Sequence, residues 1–259
     1  MKRFNQLVLL TSCFGLFAVL LSLLPSRHAS AAPSASVPTV AVTNTPLPAS
    51  PVAPFDRDDK HDGPSGSVAI GSIAAHLVGR IVIDPTTGNA EWIGYLPYLA
   101  GVAGTFFSGT PSEATAYFTF RSTTFQEQAI PNGNFTELFP AGVGQPLEIH
   151  VYLNNSPNGN FETPDTFSEG KLIARLSPER AMGTDTGTFT SAAGTYDVIF
   201  GSHFWFQGQD YNIQELTRSM TIALTFGTPA PGVSAGAPAL VSSFGGYALA
   251  VPRANTEPE

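Results

Sequence analysis

The sequence predicts an all-β fold, an antiparallel sandwich or barrel of about seven to ten strands behind a disordered N-terminal tether. Three observations carry this. Apolar, β-branched and aromatic segments recur roughly every 20 residues, with Gly- and Pro-rich turns between them. Only Asn212–Ser219 (NIQELTRS) has helical character, and it spans about two turns. Cys13 is the only cysteine, so neither a disulfide scaffold nor a thiolate metal site competes with a packed core.

The first element is a leader. Lys2 and Arg3 precede an almost unbroken apolar run, Leu7–Leu24, which Pro25 ends, and Ala29-Ser30-Ala31 supplies a small-x-small cleavage pattern. Residues 1–31 are therefore read as a signal peptide, and the chain as secreted or held at the cell surface. An uncleaved leader is the one route by which it would contact a membrane, and it would leave the bulk of the chain on the same side. Cys13 sits too early in the apolar run for a lipoprotein signal.

Residues 32–65 form a Pro/Ala/Ser/Thr-rich linker, too poor in bulky apolar side chains to offset its ordering entropy. Its end carries the charged cluster Asp56–Asp62, read as a solvated terminus. The β-domain is placed at residues 66–252, with a tail at 253–259. Val68–Ile83, broken at Gly71 and Gly79, reads as one bent strand or two successive ones. Asp84-Pro85-Thr86-Thr87-Gly88 is a tight turn, and Ala90–Leu96 the returning strand. Further strands are expected at Ala114–Phe125, Leu147–Leu153, Lys171–Leu176, Thr195–Phe206, Met220–Phe226 and Leu240–Val251. They are too irregular for the continuous lipid-facing band of an outer-membrane barrel.

Charge excludes some partners. The chain has 20 acidic and 12 basic residues, and Lys2, Arg3 and Arg27 leave with the leader, so the mature balance is −11. Such a chain repels phosphate backbones, and nucleic acid is not an expected partner.

Candidate site residues follow from the two-residue period of strands, which sends alternate side chains to opposite faces. Leu147, Ile149, Val151 and Leu153 share one face of their strand, and Glu148, His150 and Tyr152 the other. Ala116, Phe118 and Phe120 oppose Tyr117, Thr119 and Arg121. Val198, Phe200, Phe204 and Phe206 oppose His203, Trp205 and Gln207. The apolar faces are expected to be core. Tyr117, Arg121, Glu148, His150, Tyr152, His203 and Trp205 are the candidate ligand-binding residues, because aromatic rings stack on a ligand while polar groups orient it. Glu148, His150 and His203 have the atoms of a two-histidine, one-carboxylate metal site, without diagnostic spacing.

Asn154–Asp165 (NNSPNGNFETPD) places Asn154, Ser156, Asn158 and Asp165 at calcium-loop positions with Gly159 at the turn. Neutral side chains stand where acids belong and Pro157 intrudes, so calcium would bind weakly, and a plain inter-strand connection is the simpler reading. Otherwise no cofactor is expected. Asn134-Phe135-Thr136 and Asn154-Asn155-Ser156 are formal glycosylation sequons. The one Gly-x-Ser-x-Gly run, Gly232–Gly236, lies in the Pro229–Pro238 loop and not on a strand-to-helix elbow, and the exported part has no zinc-protease helix or phosphate loop.

The resulting expectation is a non-enzymatic extracellular binding module for a glycan or small amphipathic ligand. One alternative is a secreted β-barrel hydrolase or isomerase that uses His150 or His203 with Glu148 as acid and base. The other is a structural surface or matrix protein.

Overall fold

Asp84-Pro85-Thr86-Thr87-Gly88 forms the tight turn its composition requires. The Asp84 carboxylate accepts from the Thr86 amide at 2.8 Å and from the Thr87 hydroxyl at 2.7 Å. The Thr87 hydroxyl bond, with the Thr86 amide behind it, holds the Asp84 carboxyl below the usual aspartate range. The turn joins β1 (Ile73–Ile83) to β2 (Ala90–Leu99), which pair antiparallel. The computed structural model describes residues 67–252. The segments read as signal peptide, linker and tail lie outside the described residues.

The remaining strands are β3 (Phe118–Ser122), β4 (Phe125–Asn132), β5 (Phe135–Gly142), β6 (Ile149–Leu153), β7 (Lys171–Asp185) and β8 (Thr190–Gly201). After them come β9 (Phe204–Phe206), β10 (Gln209–Tyr211), β11 (Ser219–Phe226), β12 (Ala230–Ser234) and β13 (Ala237–Ala250). The helical reading shrinks to one turn, α1 (Ile213–Leu216), capped by the Asn212 side chain, which accepts from the Gln214 amide at 2.9 Å.

Eight strands close into an antiparallel barrel in the order β1-β2-β3-β6-β7-β8-β11-β13 and back to β1. Closure removes the exposed edges that an open sheet leaves unpaired. Between β2 and β7 the gap is filled twice. At one end β3 and β6 span it, while at the other β4 bridges β2 through Ala90–Phe125 and β5 pairs the far half of β7. β12 adds to β13 outside the ring.

The inward face is apolar throughout its middle. Phe118, Phe120, Ile149, Val151, Leu176, Val198 and Ile222 are buried there, as the alternation predicts for those it named. Gly79 and Gly94 face each other across β1 and β2, and a methyl at Gly94 would meet the Phe120 ring at 2.6 Å as well as the Val78 carbonyl. This close backbone approach makes room for Phe120 and Phe244, whose rings lie 6.2 Å apart. β1 therefore runs unbroken through Gly79 rather than splitting there. One end of the barrel is stoppered by Phe204, Phe206 and Tyr211 of the β9–β10 hairpin. Phe206 meets Phe118 edge-on at 4.8 Å, and Phe204 meets Tyr211 at 5.7 Å.

Phe200 corrects the sequence reading, which placed it in the core. Leu176 pairs with Val198, but Arg175 pairs with Phe200, so Ile199 is an extra residue on β8. The bulge flips everything beyond it by one face. Phe200 is half-buried on the outside, with the Arg175 guanidinium 5.3 Å from its ring centre. The expected long strand Ala114–Phe125 is likewise divided: Glu113–Thr115 is a 3-10 turn, and pairing in β3 begins at Phe118.

Candidate functional site

The seven candidate residues fall into two groups with one outlier. Arg121, Glu148, His150 and Tyr152 come together on the outer wall of β3 and β6, because Arg121 and His150 are direct cross-strand partners and all point away from the core. Arg175 joins them from β7, opposite His150. Glu148 accepts from His150 Nε2 at 2.9 Å and lies 3.5 Å from the Arg175 guanidinium. With Nε2–H donating to the carboxylate, Nδ1 is left to accept the Tyr152 hydroxyl at 3.4 Å. Burial raises the Tyr152 phenol above the usual tyrosine value, and the nearby Arg121 charge works in the opposite direction.

Arg121 anchors this wall. Its side chain is only 25% exposed, and it donates Nε to Glu91 at 2.9 Å and one terminal nitrogen to Asp165 at 2.6 Å. Partial burial opposes its charge, but the Glu91 and Asp165 carboxylates outweigh that and hold the guanidinium more firmly protonated. Asp165 comes from the β6–β7 connection, which folds back over the wall. Within it, Phe167 is fully buried against the outside of the barrel, its carbonyl accepts the Thr119 hydroxyl at 2.8 Å, and its ring lies 5.0 Å from Phe161. The Pro164–Ser168 turn packs on β2 and β3, where Ile93 is also fully buried although it faces outward.

The second group stands on the β9–β10 hairpin. Trp205 is 68% exposed and pairs across the hairpin with Asp210. His203 Nδ1 lies 2.9 Å from Asp210 and its Nε2 3.5 Å from Glu215. The hairpin is held rigidly. Gln207 and Gly208 take the left-handed backbone of its two-residue turn, with φ of +47° and +89°. The Gln207 side chain exchanges bonds with Thr105, at 3.1 Å to the amide and 2.8 Å from the carbonyl, and Lys171 Nζ donates to the His203 carbonyl at 2.6 Å. Tyr117 belongs to neither group, because its ring packs edge-on against Phe206 at 5.6 Å in the barrel stopper.

The calcium-loop residues bond to one another or to the wall. Asn154 donates to Asn158 at 2.8 Å and accepts from the Ser156 amide at 2.9 Å, Asn158 donates to Glu169, and Asp165 is held by Arg121. Those bonds already define the loop. Among the described residues no group of three or more His, Cys, Asp or Glu side chains is close enough to hold a metal ion. His150 and His203 lie in different groups.

Inside the barrel, one cavity of about 30 Å³ is lined only by apolar side chains, among them Leu77, Leu96, Phe120, Val151 and Met220. It has room for a water or two but offers them no polar partner, so it stays dry. Glu91, Arg175, Asp210 and Glu215 were not named as site residues from the sequence, and Asp165 was named only for the calcium loop. Asp210 and Glu215 were within reach of it, since both lie close in sequence to Trp205 and carry acceptor oxygens. Comparison with protein-family models finds no match, and comparisons with curated proteins and with solved structures find none either.

Proposed function

We propose that this chain is an exported β-barrel binding module that takes a glycan or small amphipathic ligand on its outer surface and carries out no catalysis. The supporting observation is Trp205, whose ring stands 68% in solvent on a pinned hairpin beside His203, Asp210 and Glu215. A sugar ring offers a C–H face for stacking and hydroxyls for hydrogen bonds, and this group presents both complements within one short hairpin. The hairpin is held by Gln207 and Lys171 before any ligand arrives, which lowers the ordering cost of binding. The barrel interior is a poorer host, because its small apolar cavity has no group to orient a polar ligand.

The acid–base alternative draws on Glu148, His150 and Tyr152, which form a chain of contacts at 2.9 and 3.4 Å. Those groups are spread on an outer wall instead of lining a cavity that excludes water, which ranks this reading second. A glycan and lipid array with wild type and Trp205→Ala separates the readings. Binding by the wild type that is lost in the variant supports the module. Binding retained in full by the variant refutes Trp205 as its centre, and binding to nothing puts the structural-protein reading ahead.

A further inference from the structure

The two groups of charged side chains on this barrel differ in what compensates their carboxylates. On the β3–β6–β7 wall each carboxylate meets an arginine: Glu91 and Asp165 meet Arg121, and Glu148 meets Arg175. On the hairpin, among the described residues, the only side chain paired with Asp210 or Glu215 is the His203 ring, at 2.9 and 3.5 Å. Lys171 Nζ donates to the His203 carbonyl, and neither it nor Arg218 forms an ion pair with these carboxylates. One imidazole cannot neutralise two carboxylates, and while it is uncharged the group stays negative even with Lys171 counted. His203 contacts one oxygen of each, so Oδ1 of Asp210 and Oε2 of Glu215 meet no donor among the described residues.

The hairpin sets these acceptors beside a stacking surface. Trp205 and Asp210 are direct cross-strand partners, so their side chains leave the same face with Cβ atoms about 5 Å apart. His203, two residues before Trp205, shares that face. Phe204, Phe206 and Tyr211 take the other face and stopper the barrel, which turns the indole and the carboxylates outward.

We infer that this hairpin selects a glycan whose sugar rings carry free amino groups. The C–H face of such a ring stacks on Trp205, and its ammonium donates to Asp210 and Glu215. The inference rests on Trp205 as the binding centre and narrows the ligand class. An ammonium brings three donors to oxygens that lack one, and hydrogen bonds between charged groups are the stronger kind. The chain carries −8 overall, a field that draws cations in and turns acidic glycans away. A lone indole forms no aromatic cage around a free ammonium, so it suits the flat face of a ring. A lysine would bring its charge on a flexible stem that costs more entropy to order.

Isothermal titration of the full exported chain at neutral pH tests this, with a short β-linked glucosamine oligomer and the same oligomer N-acetylated. Wild type should bind the free-amine form about tenfold more tightly, the scale of a charged hydrogen bond. Asp210→Asn combined with Glu215→Gln should bring the two oligomers to near parity, and Trp205→Ala should weaken both, with unchanged far-UV spectra. If the double variant fails to fold, Asp210→Asn on its own decides. Equal affinities in wild type overturn the inference and leave the glycan module standing, and a preference that survives the double substitution overturns it too. Binding to neither oligomer also overturns it, while array glycans that bind wild type and not Trp205→Ala keep the underlying reading. An oligolysine peptide or dodecylammonium that matches the free-amine oligomer, in a Trp205-dependent way, overturns the sugar and assigns the ammonium to a peptide or an alkyl amine.

Discussion

Two walls of the same barrel solve the problem of an outward face in opposite ways. The β3–β6–β7 wall gathers Arg121, Glu148, His150 and Arg175, covers part of itself with the β6–β7 connection, and ties that cover down through Asp165 and Phe167. The β1–β13–β11–β8 wall carries charge only toward its ends, at Arg80 and Asp197, and between them presents His76, Tyr247 and a field of Thr, Ala, Ser and Gly. Both rest on one apolar interior, so the closed barrel does not require either arrangement. A wall whose charged groups are half-buried must satisfy each of them with partners from distant segments, whereas a neutral wall is stable with only its backbone bonded. Local stability on the first wall therefore depends on particular side chains, and on the second it does not.

Removing the cover should give the largest effect. Phe167 is fully buried outside the barrel interior, and its carbonyl is the acceptor for the buried Thr119 hydroxyl. Phe167→Ala should cost about 3–5 kcal/mol, as for other buried phenylalanines, and should expose Ile93. Denaturant unfolding measures the loss. A cost below about 1 kcal/mol would mean that the connection does not seal the wall.

A smaller contrast separates the walls directly. Arg121→Met keeps much of the side chain's length but takes the guanidinium from Asp165 and from Glu91, which retains the Thr124 hydroxyl, and should cost about 2 kcal/mol, the scale of hydrogen bonds to charged groups. Thr221→Val, on the neutral wall, keeps the shape and gives up only a 3.4 Å contact with Thr195, so it should stay within about 0.5 kcal/mol. Equal losses from the two substitutions, read from paired thermal unfolding curves, would remove the distinction between the walls.

How far the sequence foretold these walls depends on how local each cause is. Alternation in Leu147–Leu153 separated Glu148, His150 and Tyr152 from the core correctly, because the period of a strand is a backbone property. The Asp84–Gly88 turn was legible for the same reason. The β4–β5 hairpin was missed although Asn132-Gly133 is a strong hairpin signal. Pro131 and Pro140 lie inside its strands, where they argue against pairing, and both are tolerated on a ribbon that stands largely outside the barrel wall. Phe200 was misplaced because a bulge is a two-strand event: Ile199 becomes an extra residue only against Arg175 and Leu176. The partners of Arg121 were hidden more deeply. Glu91 and Asp165 lie 30 and 44 residues away, and only the strand order and the fold of the connection bring them together. The neutral wall has no local signature either, since its uncharged field appears only once four strands are in register.

The finest expected difference concerns two tyrosines whose charged neighbours have opposite signs. Burial raises both the Tyr152 and Tyr95 phenols above the ordinary value, because a phenolate in either place loses hydration. At Tyr152 the Arg121 charge offsets part of that rise, while at Tyr95, beside the neutral wall, the Glu113 carboxylate adds to it. Arg121→Met should therefore push Tyr152 further up, and Glu113→Gln should bring Tyr95 down. A folded-state phenol raised above its unfolded value contributes stability that is complete below the unfolded pKa and is lost as pH rises through the folded one. The alkaline loss of stability should accordingly deepen in Arg121→Met and lessen in Glu113→Gln. Ring-resolved NMR titration of the two tyrosines, followed from neutral into the alkaline range, reads both directions in one series. Shifts of the same sign in the two variants would show that burial alone sets these phenols, and that the charge on either side of the barrel does not reach them.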